Sequence, residues 1–283
     1  MRNIRIIPRL DIKGPNLVKG IHLEGLRTLG KPEHFARYYY ENGADELIYM
    51  DIVASLYGRN NLLDVVRRTA QEIFIPLTVG GGLRTIDDIY AVLAAGADKV
   101  SINTAAIRNP EFIQEASRRF GSSTIVVAIE AIKKDNPKYE VCVDNGRQET
   151  GIDVFAWAKR VAKLGAGEIL LTSIDQEGTG KGFDIELIRE VAQSVSIPVI
   201  ALGGAGSIEH IYAAIAEGNA DAVSIASMLH YGFLKEFDML KHDYSEEGNT
   251  EYLKNKQDFG KVKGTSIFEI KSFIKNKGIN CRL

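Results

Sequence analysis

Residues 75–104, IPLTVGGGLRTIDDIYAVLAAGADKVSINT, return in the same pattern as residues 197–227, IPVIALGGAGSIEHIYAAIAEGNADAVSIAS. Ile75 maps to Ile197 and Gly82 to Gly204, an offset of 122, and one inserted residue near Asn219 brings Thr104 onto Ser227. Each copy reads as strand, glycine-rich turn, helix, strand. The Val/Ile-rich runs are too short and too apolar for amphipathic helices, whereas the Ile-Tyr-Ala segments carry helical spacing. The repeat continues upstream: GADELIYMDI at 43–52 recurs as GAGEILLTSI at 165–174. Further up, IIPRLDIK at 6–13 has its counterpart in VVAIEAIK at 126–133, with Asp11 in one and Glu130 in the other. Two copies of a four-unit βα half make eight units. Eight parallel strands with crossover helices close into a barrel of roughly 250 residues. The expectation is α/β, one (β/α)8 TIM-type barrel over residues 1–283, with half-barrels at about 1–122 and 123–283.

Composition sets limits on this reading. A chain of 283 residues that is 45% hydrophobic can bury one large core without dividing into domains. A net charge of −2 offers no basic footprint for nucleic acid or for a membrane surface. No run of 18 apolar residues occurs, and MRNIRIIPRL reads as a charged strand and not as a signal peptide, so a cytoplasmic location is expected. Cys142 and Cys281 lie far apart in sequence and are expected to be reduced thiols. His22, His34, His210, His230 and His242 show no metal spacing, so neither a metal nor a cofactor is expected.

Strands are expected near 5–11, 46–52, 76–81, 98–103, 124–131, 168–173, 198–203 and 222–226, with helices such as 32–42, 62–72, 110–120, 153–164 and 266–276 between or after them. Three stretches exceed the usual short connection. The first, 13–31, reads as a loop carrying Lys19. In the second, 133–151, YEVCV before Asp144-Asn145-Gly146 reads as a small hairpin. The third, 231–265, is an insertion rich in Lys, Glu, Asp and Asn. All three follow strands and belong on the C-terminal rim, where active sites of such barrels are built.

The glycine turns and strand-end acids carry the chemistry. Gly80-Gly81-Gly82 ends the third barrel strand and Gly203-Gly204 the seventh, so backbone N–H groups can approach an anion without Cβ interference. Asn103-Thr104 and Ala226-Ser227 end the fourth and eighth strands beside them and add polar donors. Each half is therefore expected to hold one phosphate of a phosphorylated small molecule. Asp11 and Glu130 end opposed strands and suit general acid–base work between those sites. The competing reading has these acids cap a loop or pair with Lys13, Lys19 or Lys133. At the opposite rim Arg5, Glu46, Lys99 and Glu168 form a ring of alternating sign, either a salt-bridged plug or a gate into the barrel.

These residues resemble the cyclase subunit family of imidazole glycerol phosphate synthase, which acts in histidine biosynthesis. The likeness covers residues 4 to about 231 and the last helix, through LDIKG, Lys19-Gly20, IPLTVGGGLR, GADKVSINTAA, GAGEILLTSID, GTGKGFD and the final AS-x-x-H. It implies that Lys19, Thr172, Glu177 and Gly178 join the glycine turns in holding substrate. It also implies a class I glutaminase docked on the N-terminal face as a heterodimer, with ammonia passing the ring of Arg5, Glu46, Lys99 and Glu168 and crossing the barrel. The departures lie at the mouth. Glu130 and Glu177 stand where the family has aspartates, Arg9 where it has cysteine, and Leu202 where it has serine. Arg9 shares the inward parity of Arg5 and Asp11, so its buried charge needs a partner, and Glu130 or Asp11 is expected to supply it with a lowered pKa. These changes and the insertion point to a specialised paralogue that passes ammonia to a sugar amidotransferase on the C-terminal rim, for acetamidino modification of a surface sugar. The alternative is a true cyclase. It would convert the ribulosyl-formimino carboxamide nucleotide and ammonia into imidazole glycerol phosphate and aminoimidazole carboxamide nucleotide. The third reading is a non-catalytic phosphosugar-binding scaffold.

Overall fold

The computed structural model describes residues 3–21, 24–52, 62–135, 138–236 and 262–283. Its barrel strands are β1 (Arg5–Lys13), β4 (Leu47–Asp51), β5 (Leu77–Gly80), β6 (Lys99–Ile102), β7 (Ile125–Lys133), β10 (Glu168–Ser173), β11 (Val199–Leu202) and β12 (Ala222–Ile225). They pair in parallel in that order, β10 joins β7, and β12 returns to β1. The sheet is thus a closed eight-stranded parallel barrel, and β1 and β7 stand diametrically opposed in it. Each expected strand is present to within about two residues.

Strand parity divides the core in two. Outward residues such as Ile6, Leu10, Leu47, Tyr49, Val100, Val127, Leu171 and Val223 pack in the layer shared with the helices. Inward residues Ile7, Ile48, Val126, Ala128, Leu170, Ile200, Leu202 and Ala222 form a separate apolar cluster inside the barrel. Strands buried on both faces need continuous Val/Ile runs, and that is what IVVAIEAIK supplies.

The surrounding helices follow the pattern of their sequence. They include α1 (Pro32–Glu41), α2 (Leu63–Glu72), α3 (Ile86–Ala94), α4 (Thr104–Arg108), α5 (Glu111–Phe120), α6 (Val154–Lys163), α7 (Ile185–Ser194), α8 (Ile208–Ala216), α9 (Ser227–Glu236) and α10 (Ile267–Asn276). Thr85 with Asp88, and Ser266 with Glu269, close capping boxes; Asp153 and Asp184 cap α6 and α7. The internal repeat persists in the hydrogen bonds. Leu77 N donates to Asp98 Oδ2 at 2.9 Å, and Val199 N donates to Asp221 Oδ2 at 3.0 Å. The inserted residue of the second copy, Asn219, takes φ 59, a left-handed geometry that asparagine tolerates.

Two hairpins extend the barrel at its mouth. β8 (Tyr139–Val143) and β9 (Gln148–Asp153) are the hairpin expected at 133–151. The segment 13–31, expected as a loop, is instead a second hairpin of β2 (Asn16–Ile21) and β3 (Glu24–Gly30). β2 runs antiparallel to β1, with Asp11 beside Val18, so Lys19 lies on a strand next to the mouth. Of the insertion at 231–265, residues 237–261 lie outside the described residues. Among the described residues, no helix is long and apolar enough to cross a membrane.

Candidate active site

The upper end of β1 places Arg9 and Asp11 on the inner face. Arg9 Nε donates to Asp11 Oδ1 at 2.7 Å, and both side chains are only 5% exposed. Lys19 reaches in from β2 and donates to Glu177 Oε1 at 2.5 Å, again with both partners buried. The mouth therefore holds two buried cation–carboxylate pairs. Among the described residues neither Asp11 nor Glu130 pairs with Lys13, Lys19 or Lys133, while the loop-capping part of the competing reading holds for Glu130, which accepts from Gly146 N in the hairpin turn.

Glu130 lies across the barrel on β7, beside Thr172 of β10. Its Oε2 accepts from Gly146 N at 2.8 Å, and the Asn103 amide also hydrogen-bonds it. Burial raises its pKa to about 7, a rise enlarged by Asp144; Arg9 and the two neutral donors oppose it. The expectation of a carboxylate paired with Arg9 and pulled down is thus corrected at Glu130. Arg9 spends its hydrogen bond on Asp11, and desolvation outweighs its residual attraction. Cys142, opposite Glu130 on β8, has its thiol pushed up to about 12 by burial, so it remains protonated.

Glu130 faces a cavity of about 250 Å³ lined by Asp51, Gly81, Gly82, Arg84, Ser101, Asn103, Thr104, Arg108 and Asn145, among others. Gly81 and Gly82 have φ 101 and 71, and a Cβ on Gly81 would lie 2.1 Å from the Asp51 carbonyl oxygen. Only glycine fits that crossing. Asn103 stands just before α4, whose N-terminus opens at Thr104, without a side-chain capping bond, and its buried Oδ1 has no hydrogen-bond partner among the described residues. The first glycine turn, the helix start and one catalytic candidate thus share one cavity. Asp144 lies at its edge, bonded to Arg108 at 3.2 Å and accepting from the Thr104 hydroxyl at 3.5 Å. This hairpin contact carries no signal in the sequence, because it joins side chains 40 residues apart.

The second turn is built differently. Gly203 and Gly204 have φ 98 and 106, and Gly182 N donates to Gly204 O at 2.8 Å. The segment carrying Gly178 (φ 72) therefore packs directly on this turn. Ala226 is buried just before Ser227 begins α9. His230, three residues on, is buried against the Tyr39 hydroxyl at 2.6 Å, and burial lowers its pKa to about 3.

At the opposite end of the barrel, Arg5 donates to Glu46 at 2.8 Å and to Glu168 at 3.1 Å. Lys99 approaches the same two carboxylates at 3.0 and 3.2 Å. Each cation bridges both anions, as the alternation of sign implied. Thr78, absent from the sequence reading, donates to Glu46 at 2.7 Å from β5 and completes the layer. Above the ring comes the apolar cluster, then Arg9, then the mouth.

A closed parallel barrel with a strand-end carboxyl in a cavity at its mouth has the architecture of the (β/α)8 enzyme class. The family described as Histidine biosynthesis protein matches residues 5–235. The imidazole glycerol phosphate synthase subunit HisF of Legionella pneumophila is 62% identical over 209 residues, spanning 74% of this chain and 99% of that protein. The subunits of the same name from Trichormus variabilis and Synechocystis are each 52% identical, over 237 and 233 residues. These alignments span 83% and 81% of this chain and 92% and 89% of those proteins. The chain belongs to the imidazole glycerol phosphate synthase cyclase-subunit family. The relatives carry the cyclase's name and lend no support to surface-sugar modification or to a sugar amidotransferase partner. They favour the cyclase reading that the sequence had placed second.

Proposed function

We propose that this chain is a working cyclase subunit, closing the imidazole ring of imidazole glycerol phosphate from a ribulosyl-formimino carboxamide nucleotide and ammonia. The observation that carries the reading is the cavity in which Gly81-Gly82 and Asn103-Thr104 meet Glu130, across the barrel from Asp11. A carboxyl group titrating near 7 is matched to proton transfer at neutral pH, so its extra methylene relative to the family's aspartate does not remove the acid–base function.

In this reading one substrate phosphate sits on Gly81, Gly82, Asn103 and Thr104, and the other on Gly203, Gly204, Ala226 and Ser227, with Thr172, Lys19, Glu177 and Gly178 lining the path between. Asp11 and Glu130 act from opposite sides on the atoms that form the ring. A glutaminase at the N-terminal face supplies ammonia, which passes Arg5, Glu46, Lys99 and Glu168 and crosses the apolar interior. Since the four charges of that ring already satisfy one another, opening it requires one pair to part.

The phosphate sites have a direct test. A crystal grown with inorganic phosphate should show density at both glycine turns. Empty turns at saturating phosphate would remove the basis for a bisphosphate substrate.

A further inference from the structure

Two carboxyl groups at the mouth have a buried cation as hydrogen-bond partner: Asp11 has Arg9, and Glu177 has Lys19. Glu130, across the barrel, has neutral donors, Gly146 N–H and the Asn103 amide. Glu130 lines the cavity together with Asp51, whereas Asp11 and Glu177 do not. Arg9 could have reached either wall from the inner face of β1, and it is held by the acid two residues along its own strand.

We propose that Arg9 is a positioning residue: by bonding to Asp11 on its own strand it leaves Glu130, held by neutral donors in the cavity, as the mouth acid free to exchange a proton with substrate. This rests on the cyclase reading for its chemical purpose, but its observable is protonation itself. A guanidinium cannot shed its proton to escape a low-dielectric site, so Arg9 stays charged beside Asp11. Asp51, Arg84 and Arg108 share the cavity with Glu130; Asp144 from the hairpin turn favours its protonated form, and Cys142 beside it on β8 keeps a neutral thiol. Arg9 is the cation that keeps this tendency in check, holding the Glu130 midpoint near neutrality.

The test follows carboxyl protonation by infrared difference titration of the whole chain, with no substrate present. In the native protein a buried protonated carboxyl should titrate near neutral pH, and its band should vanish in Glu130→Gln. Arg9→Gln should move that midpoint upward by on the order of one pH unit. Arg9→Lys, which keeps the charge and is the gentler change, should keep the midpoint within a few tenths of native. The inference is overturned if the native band survives Glu130→Gln, a result that does not depend on any Arg9 variant folding. It is overturned equally if Arg9→Gln folds and leaves the midpoint where it was. A chain that titrates as described but never cyclises would contradict the proposed function and leave the role of Arg9 standing.

Discussion

Replacing Glu130 by glutamine should flatten the pH dependence of stability, and the structure gives the size of the effect. Glutamine keeps the side-chain length and a carbonyl to accept from Gly146 N–H, but it cannot ionise. The Glu130 carboxyl rises from the ordinary 4.5 to about 7 in the fold. Between those pH values the folded chain holds a proton that the unfolded chain has released, so folding stability falls as pH climbs. The loss begins near the unfolded value, is complete just above about 7, and is absent below 4.5. At about 1.4 kcal/mol per pH unit the whole shift corresponds to roughly 3 kcal/mol, reduced where the cavity admits water. Urea unfolding of native and Glu130→Gln chains at pH 5, 6, 7 and 8 reads this directly, provided the m-values agree. The variant should gain on the native chain from pH 5 to just above 7 and then level off, up to about 3 kcal/mol above it at pH 8. Parallel stability curves would mean that Glu130 is already ionised well below neutrality, and the acid–base role argued for it would lose its physical basis.

Other perturbations test separate parts of the site. Gly81→Ala must place a methyl group 2.1 Å from the Asp51 carbonyl at φ 101, so urea unfolding should show a loss of about 3 kcal/mol and phosphate binding at that turn should fall sharply. Lys19→Met removes the buried ammonium bonded to Glu177 and should destabilise the chain by up to about 3–5 kcal/mol, whereas the double change with Glu177→Leu should recover part of that loss. Lys99→Ala, assayed with a partner glutaminase, should alter glutamine-dependent turnover more than ammonium-dependent turnover, because only the first route crosses the ring. Equal losses in both assays would make the ring a plug.

The barrel was legible in the sequence because repetition and parity are strong signals. The offset between Ile75 and Ile197 located the half-barrels, and the inward parity of Arg5, Arg9 and Asp11 placed them on one wall. The charged ring was legible for the same reason, since alternating charges at strand starts have few other uses. What escaped depends on competition between neighbours. Segment 13–31 read as a loop because Gly14-Pro15, Gly20 and Gly30 interrupt it, yet pairing with β1 makes it a hairpin and delivers Lys19 to Glu177. The partner of Arg9 turned on whether its guanidinium reaches across the mouth or along its own strand, which spacing does not decide. The direction of the Glu130 shift turned on burial outweighing a nearby cation, and burial at the end of a strand is a property of the closed barrel. The four departures from the family pattern and the 231–265 insertion weighed toward a paralogue, and it is the relatives that favour the cyclase instead. Of the physical reasons for the first reading, the tie of Arg9 to Glu130 is not formed, because Arg9 bonds Asp11.

The most direct measurement is steady-state turnover of the purified chain with ammonium and the ribulosyl-formimino carboxamide nucleotide. Imidazole glycerol phosphate should form at roughly 1 per second or faster, within the ordinary range for enzymes. Turnover should fall by at least about a hundredfold in Glu130→Gln and in Asp11→Asn. Bound substrate with no product, in a native chain whose phosphate turns are occupied, would contradict the cyclase function.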